Sequence, residues 1–246
     1  MEISGSTIVI TGASRGLGRE MALRLSRAGA RVILVARSEE SLQSAQRTVS
    51  DIAGYSPDAF PCDITDEWAV AGIARTIGAT YRRVDALINN AGIGILKPVS
   101  EMSGDEMRRH FEVNLFGAFY CTRAMLPLMK GGKEGYVLNI GSLLGEMSFA
   151  ESGVYSATKF ALAGFTEGLR LELKKHGIQV GLLLPGPMNT SFHENVGGHA
   201  PDVPRFITLD PARVAVIAEM MIRKRVSRVH AYRWILYAMK LKRFLR

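Results

Sequence analysis

Short β-branched, apolar runs alternate along this chain with longer stretches whose apolar residues recur at helical spacing, and this alternation constrains the fold most. Candidate strands are Thr7–Thr11, Arg31–Ala36, Asp58–Pro61, Asp85–Asn89, Tyr136–Ile140, Gln179–Leu184 and a weaker one at Arg228–Tyr232. Helical stretches lie between them, among them Arg15–Ala28, Glu39–Ala53, Glu67–Tyr81, Gly104–Met129 (with a break near Asn114) and Ser152–His176. Strands that are apolar on both faces, separated by helices, imply a three-layer α/β domain with a doubly wound parallel sheet. The 246 residues suit one such domain, and no repeat, low-complexity tract or interdomain linker interrupts them. Ligands of these sheets bind beyond the carboxyl ends of the strands. Gly12, Asn90, Ser142 and Pro185 each follow a strand, so they converge on that edge.

The segment Thr11–Gly18, TGASRGLG, joins the first strand to the first helix, where a phosphate-binding turn belongs. Gly12, Gly16 and Gly18 permit close backbone approach, and the helix after Leu17 offers free N–H groups to a pyrophosphate. At the end of the second strand a carboxylate would hold the ribose hydroxyls of NAD, whereas an Arg accommodates the 2′-phosphate of NADP. Arg37-Ser38 stands there, and Arg15 and Ser14 approach from the glycine loop. The expected cofactor is therefore NADP(H). Asp63, after the third strand, has two readings: it accepts from the adenine amino group, or it caps the following helix.

Tyr155 and Lys159, in YSATK, lie four residues apart on one helical face. A phenol titrates near pH 10, and a neighbouring ammonium is expected to lower that value toward a range useful for proton transfer. Ser142, at the end of the fifth strand, can hold a substrate oxygen where charge develops. Together, TGASRGLG, NNAG (Asn89–Gly92), Asn114 in FEVNLFG, Ser142 in NIGS, YSATK and PGPMNT (Pro185–Thr190) resemble the compact short-chain dehydrogenase/reductase family. The resemblance covers Ile3 to Thr190. It implies a Rossmann-type sheet and a catalytic tetrad of Asn114, Ser142, Tyr155 and Lys159. In that family the Tyr transfers the proton, the Lys also binds the nicotinamide ribose, the Ser orients the carbonyl and the Asn holds a water. Asn90, with Ala91 and Gly92, would line the cofactor ribose, and Pro185, Gly186 and Thr190 the nicotinamide. The implied activity is hydride transfer between NADP(H) and a carbonyl or alcohol, and the tail described below suggests a lipid-like or acyl-chain substrate. The alternatives are a sugar-nucleotide epimerase or dehydratase, which needs a larger substrate domain, and a non-catalytic NADP-binding regulator, which needs no proton relay.

The net charge of +8 is concentrated at one end. Arg223–Arg246 holds nine Lys/Arg and no acid, leaving 22 basic against 23 acidic residues in the body. A specific nucleic-acid binder, which needs a basic face on the domain itself, is not expected. The segment 233–246, if helical, gathers Trp234, Tyr237, Ala238, Leu241, Phe244 and Leu245 on one face. Two readings stay open: an interfacial helix on an anionic membrane, or a face that packs on this domain or a second subunit. The main domain is expected over 1–232, with a substrate loop at about 190–210 whose His193 and His199 are read as solvent-facing. Two distant cysteines, Cys62 and Cys121, and the lack of a secretory leader point to the cytosol. Resemblance further implies a homodimer or higher homo-oligomer built from helices around Phe111–Met129 and Ser152–Lys174.

Overall fold

The structure is a computed structural model that describes residues 1–130, 134–188, 192 and 208–232. Thr190, His193, His199 and the basic tail from Arg233 lie outside the described residues. Seven parallel strands form one sheet in the order β3-β2-β1-β4-β5-β6-β7. They are β1 (Thr7–Thr11), β2 (Arg31–Ala36), β3 (Asp58–Pro61), β4 (Ala86–Asn89), β5 (Gly135–Ile140), β6 (Ile178–Leu184) and β7 (Arg228–His230). The helices are α1 (Gly16–Arg27), α2 (Glu39–Ala53), α3 (Glu67–Tyr81), α4 (Gly104–Phe111), α5 (Gly117–Met129), α6 (Gly153–Leu173) and α7 (Pro211–Lys224). The single α/β domain expected from the alternation is what forms.

Strand alternation sorts the core into two layers, because successive side chains leave opposite faces of a pleated strand. Ile8 and Ile10 of β1 pack with Met21 and Leu25 of α1, Leu42 and Val49 of α2, and Val214, Met221 and Ile222 of α7. Val9, between them, faces the other way, toward Val70 and Ile77 of α3, Met125 of α5 and Leu169 of α6. Helix starts carry local signals. Ser38 accepts from the Ser41 N–H at the head of α2, Ser103 and Glu106 form a reciprocal capping box on α4, and Asp210 precedes Pro211 at the start of α7.

The break expected near Asn114 is a single π-helical turn, Glu112–Phe116, so α4 and α5 run on as one continuous rod with one turn widened. The chain winds outward from β1 through β2 to β3, then returns to place β4 on the other side of β1. The loops after β1 and β4 therefore meet at the switch point, which is where such a sheet takes its ligand.

Candidate active site

At the switch point the glycine loop is locked against the loop after β4. Gly12 and Gly16 have φ of 65° and 52°, a region that favours glycine. A Cβ on Gly18 would stand 2.1 Å from the Gly12 carbonyl oxygen, and one on Gly12 would stand 2.8 Å from Ala91 Cα. Asn90 Nδ2 donates to the carbonyls of Thr11 (3.0 Å) and Gly12 (3.1 Å), while Thr11 Oγ1 accepts from the Asn90 and Ala91 N–H groups at 3.0 and 3.1 Å. Asn90, expected to touch a ribose, here commits its amide protons to the glycine loop. Leu17 is buried beneath it. The first turn of α1 has neither a capping side chain nor an acid, so its N–H groups are free for an anion. This uncapped turn behind glycines fits a dinucleotide pyrophosphate.

Arg15 and Arg37 are exposed at the ends of neighbouring strands, and neither pairs with an acid among the described residues. Asp63 does not cap the helix: Asp66 does, accepting from Trp68 and Ala69 N–H. Asp63 instead closes a turn, its Oδ1 accepting from Thr65 N (3.0 Å) and Thr65 Oγ1 (2.9 Å), with the side chain exposed. That removes the capping reading and leaves the adenine one.

The second half of the site stands on α6 and the end of β5. Tyr155 and Lys159 are one helical turn apart and both buried. Ser142 begins a 3-10 turn after β5, and its hydroxyl accepts from Leu144 N at 3.1 Å and also reaches the Tyr155 phenol. Lys159 Nζ donates to the Ile140 carbonyl at 3.0 Å and lies 5.8 Å from the centroid of the Tyr155 ring. Burial pulls the Lys159 ammonium down to about 8. Burial likewise pushes Tyr155 up to about 12, with the Ser142 hydrogen bond acting in the opposite direction. The lowering expected from the ammonium is not what this arrangement produces. Lys159 sits beside the ring and not at the oxygen, and loss of hydration dominates the phenol.

Asn114, on the π turn, is fully engaged with protein. Its Oδ1 accepts from Ile93 N (2.8 Å), and its Nδ2 donates to Ile93 O (2.9 Å) and Thr158 Oγ1 (3.0 Å). One turn earlier, buried His110 accepts from Ile95 N at 2.9 Å through Nε2 and donates to Glu106 O at 2.8 Å through Nδ1. The Lys97 N–H then bonds Glu151 O at 2.9 Å. The segment after β4 is thus tied at alternate residues, 93, 95 and 97, and the position between the first two, Gly94, abuts Tyr155. A Cβ on Gly92 would lie 3.1 Å from Asn114 Oδ1 and 3.6 Å from Lys159 Nζ. Pro185 and Gly186 follow β6 beside this cluster; a Cβ on Gly186 would lie 3.5 Å from Leu143 Cδ1. Gly94, His110, Thr158 and Phe192 were not among the sequence candidates. His110 had a weak signal, standing four residues before Asn114 on the same helical face. No cluster of metal-ligating side chains occurs among the described residues.

A doubly wound sheet with a glycine loop at its switch point defines a dinucleotide-binding α/β protein. The comparisons make the class particular. The profile of the short chain dehydrogenase family matches residues 6–200. Dehydrogenase/reductase SDR family member 7B of Bos taurus is 32% identical over 228 residues, spanning 91% of this chain and 67% of that protein. The Rattus norvegicus protein of the same name is 34% identical over 198 residues, but only 61% of its length is spanned. The uncharacterized oxidoreductase YbbO of Escherichia coli K12 is 34% identical over 203 residues, 82% of this chain and 73% of its own length. Among solved structures, a short-chain dehydrogenase of Shigella flexneri complexed with NADP superposes with a TM-score of 0.85 at 27% identity, over 93% of this chain and 98% of that one. One from Burkholderia phymatum in complex with NAD gives 0.89 at 25% identity, over 98% and 94%. This chain belongs to the short-chain dehydrogenase/reductase family of oxidoreductases.

Proposed function

We propose that this protein uses NADP(H) to reduce a carbonyl, or to oxidise the corresponding secondary alcohol, with Tyr155 as the proton-transfer group. One observation carries the reading. A serine at the end of β5 stands beside a buried phenol, with a buried lysine one helical turn away and a glycine cradle at the switch point. When bound, the nicotinamide supplies the hydride that reaches the carbonyl carbon. Ser142 and Tyr155 hydrogen-bond the carbonyl oxygen and fix which face is presented. A phenol held near 12 is neutral at pH 7, which is the state that donates a proton to the nascent alkoxide. Lys159, near 8 and still largely protonated at pH 7, keeps a positive charge beside the Tyr155 ring, where it would hold the nicotinamide ribose. Asn114 and His110 act through the backbone of Ile93 and Ile95, holding that loop against α6.

The preference for NADP(H) over NAD(H) rests on Arg37 and Arg15, exposed and without an ion-pair partner among the described residues, and on the lack of a carboxylate at the end of β2. The NADP complex of the Shigella relative supports it, and the NAD complex of the Burkholderia one shows that the fold alone does not decide it.

The test is steady-state kinetics of Tyr155→Phe beside the wild type, with NADPH and NADH. Wild type should favour NADPH in kcat/KM. The variant should lose about three orders of magnitude in turnover while binding NADPH with unchanged affinity. A Phe variant that keeps its turnover refutes the assignment.

A further inference from the structure

Two aromatic rings converge on a residue with no side chain. A Cβ on Gly94 would lie 2.6 Å from Phe192 Cε1 and 3.4 Å from Tyr155 Cε2. The two rings meet edge to face, with centroids 6.2 Å apart and planes at 64°. Gly94 does not have a positive φ, so its backbone would accept alanine. What glycine supplies here is room for the edge of Phe192. Phe192 therefore reaches the flank of the phenol because position 94 is empty, and it forms the wall that one substituent of a carbonyl held by Tyr155 must meet.

The surroundings share this character. Ile93, Ile95 and Leu96 are buried on the loop after β4, and Leu143 and Met147 on the loop after β5. Of the charged side chains on the same loops, Lys97 pairs with Glu106 at 2.7 Å and Glu146 bonds His230 at 2.9 Å as well as Arg228, while Glu101 and Glu151 are exposed carboxylates. A carboxylate or phosphate set against the Phe192 ring would lose hydration, and the one cation of these loops among the described residues, Lys97, is already paired.

We infer that Phe192, seated in the recess of Gly94, is a specificity-determining residue that selects carbonyl substrates bearing an uncharged apolar group next to the reacting carbon. This rests on the proposed role of Tyr155 and adds the substrate class. An apolar contact of this kind is worth about tenfold or more in kcat/KM.

The experiment measures NADPH oxidation with three probes: acetophenone (apolar), pyruvate (charged) and dihydroxyacetone (polar, neutral). The enzymes are wild type, Phe192→Ala, Phe192→Leu and Gly94→Ala, with NADPH binding by fluorescence as the check that each variant is folded. Wild type should prefer acetophenone by at least about tenfold. Phe192→Ala should lower acetophenone kcat/KM by about tenfold, mostly through KM, and dihydroxyacetone kcat/KM by much less. Phe192→Leu should recover most of the loss. Gly94→Ala, by expelling the ring edge, should resemble Phe192→Ala. Wild-type preference for pyruvate or dihydroxyacetone, or an equal loss on all probes in Phe192→Ala, overturns the inference and leaves the oxidoreductase reading standing. Turnover that survives in Tyr155→Phe on every probe overturns the reading beneath it.

Discussion

His110 is fully buried and has a partner at each ring nitrogen, an N–H donor facing Nε2 and a carbonyl facing Nδ1. That pair of partners fixes one neutral tautomer, because a protonated ring would turn two N–H groups outward and set one against the Ile95 N–H. Burial accordingly holds its pKa below the usual histidine range, the Glu106 carbonyl and the more distant Glu106 carboxylate acting in the opposite sense. Above pH of about 6.5 both folded and unfolded chains carry this histidine neutral. As pH falls below that value the unfolded chain takes up a proton that the folded one refuses, so the fold loses stability. His110→Leu should remove this component and leave the Ile95 N–H unsatisfied at a cost of about 1–3 kcal/mol. Urea unfolding midpoints from pH 8 to 5 check it: the gap between wild type and variant should narrow as the pH drops. A constant gap would show that His110 titrates alike in both states. Lys159 acts in the same sense over a higher pH range. With its folded value near 8 against 10.5 in the open chain, it adds stability as pH rises between the two.

At the scale of elements, the glycine loop is a joint between β1, α1 and the loop after β4. Gly18 is the tightest point of that joint, its missing side chain occupied by the Gly12 carbonyl and the Asn90 amide. Gly18→Ala should therefore fail for steric reasons and not conformational ones, as φ at this position is not positive. The start of α1 must move away from β1, and NADPH affinity should fall at least tenfold with a lower melting temperature, read by fluorescence titration and thermal melts. Unchanged affinity would mean that the loop is not the phosphate cradle. The strands were legible to within a residue over most of the sheet because continuous apolar runs such as Thr7–Thr11 have one comfortable environment, a strand covered on both faces. Glu39–Ala53 and Glu67–Tyr81 were equally legible, their amphipathic faces bounded by Ser38 and Asp66. The π turn was only half visible, because one extra residue in a helix leaves the apolar pattern intact and shifts just the hydrogen bonds. Helix α7 was not among the stretches named. In the site, residue types and spacing pointed to Ser142, Tyr155 and Lys159, but the direction of the Tyr155 shift depends on burial, which a spacing of four residues does not encode. Gly94 and Phe192 are 98 positions apart and meet only once the β4 and β6 loops share an edge.

Across the whole molecule the surface is uneven in a way that the sheet explains. The outer face of α6 presents Phe160 (47% exposed) and Leu171 (71% exposed), and next to it α5 and the turn before it present Phe119 and Phe116. Between those side chains Gly164 and Gly168 stand with nothing within 4 Å of where a Cβ would be, so a second backbone can approach closely. By contrast, the groove between α1 and α7 carries Arg27 and Arg213 without ion-pair partners among the described residues, beside Glu20 and the Arg24–Glu219 pair. Two copies pairing through that groove would set like charges together, whereas pairing through α5 and α6 would bury apolar area, at roughly 25 cal/mol per Å². We propose an isologous dimer through α5 and α6. It would brace α6 from behind, on the side opposite Tyr155 and Lys159. Phe160→Glu should shift the protein from dimer to monomer in sedimentation velocity at micromolar concentration. Because α6 loses its support, turnover should fall by more than NADPH affinity does. The variant does not touch the inward face, so a monomeric protein with full turnover would separate assembly from catalysis, and a wild type that sediments as a monomer would leave this apolar face without the partner assigned to it.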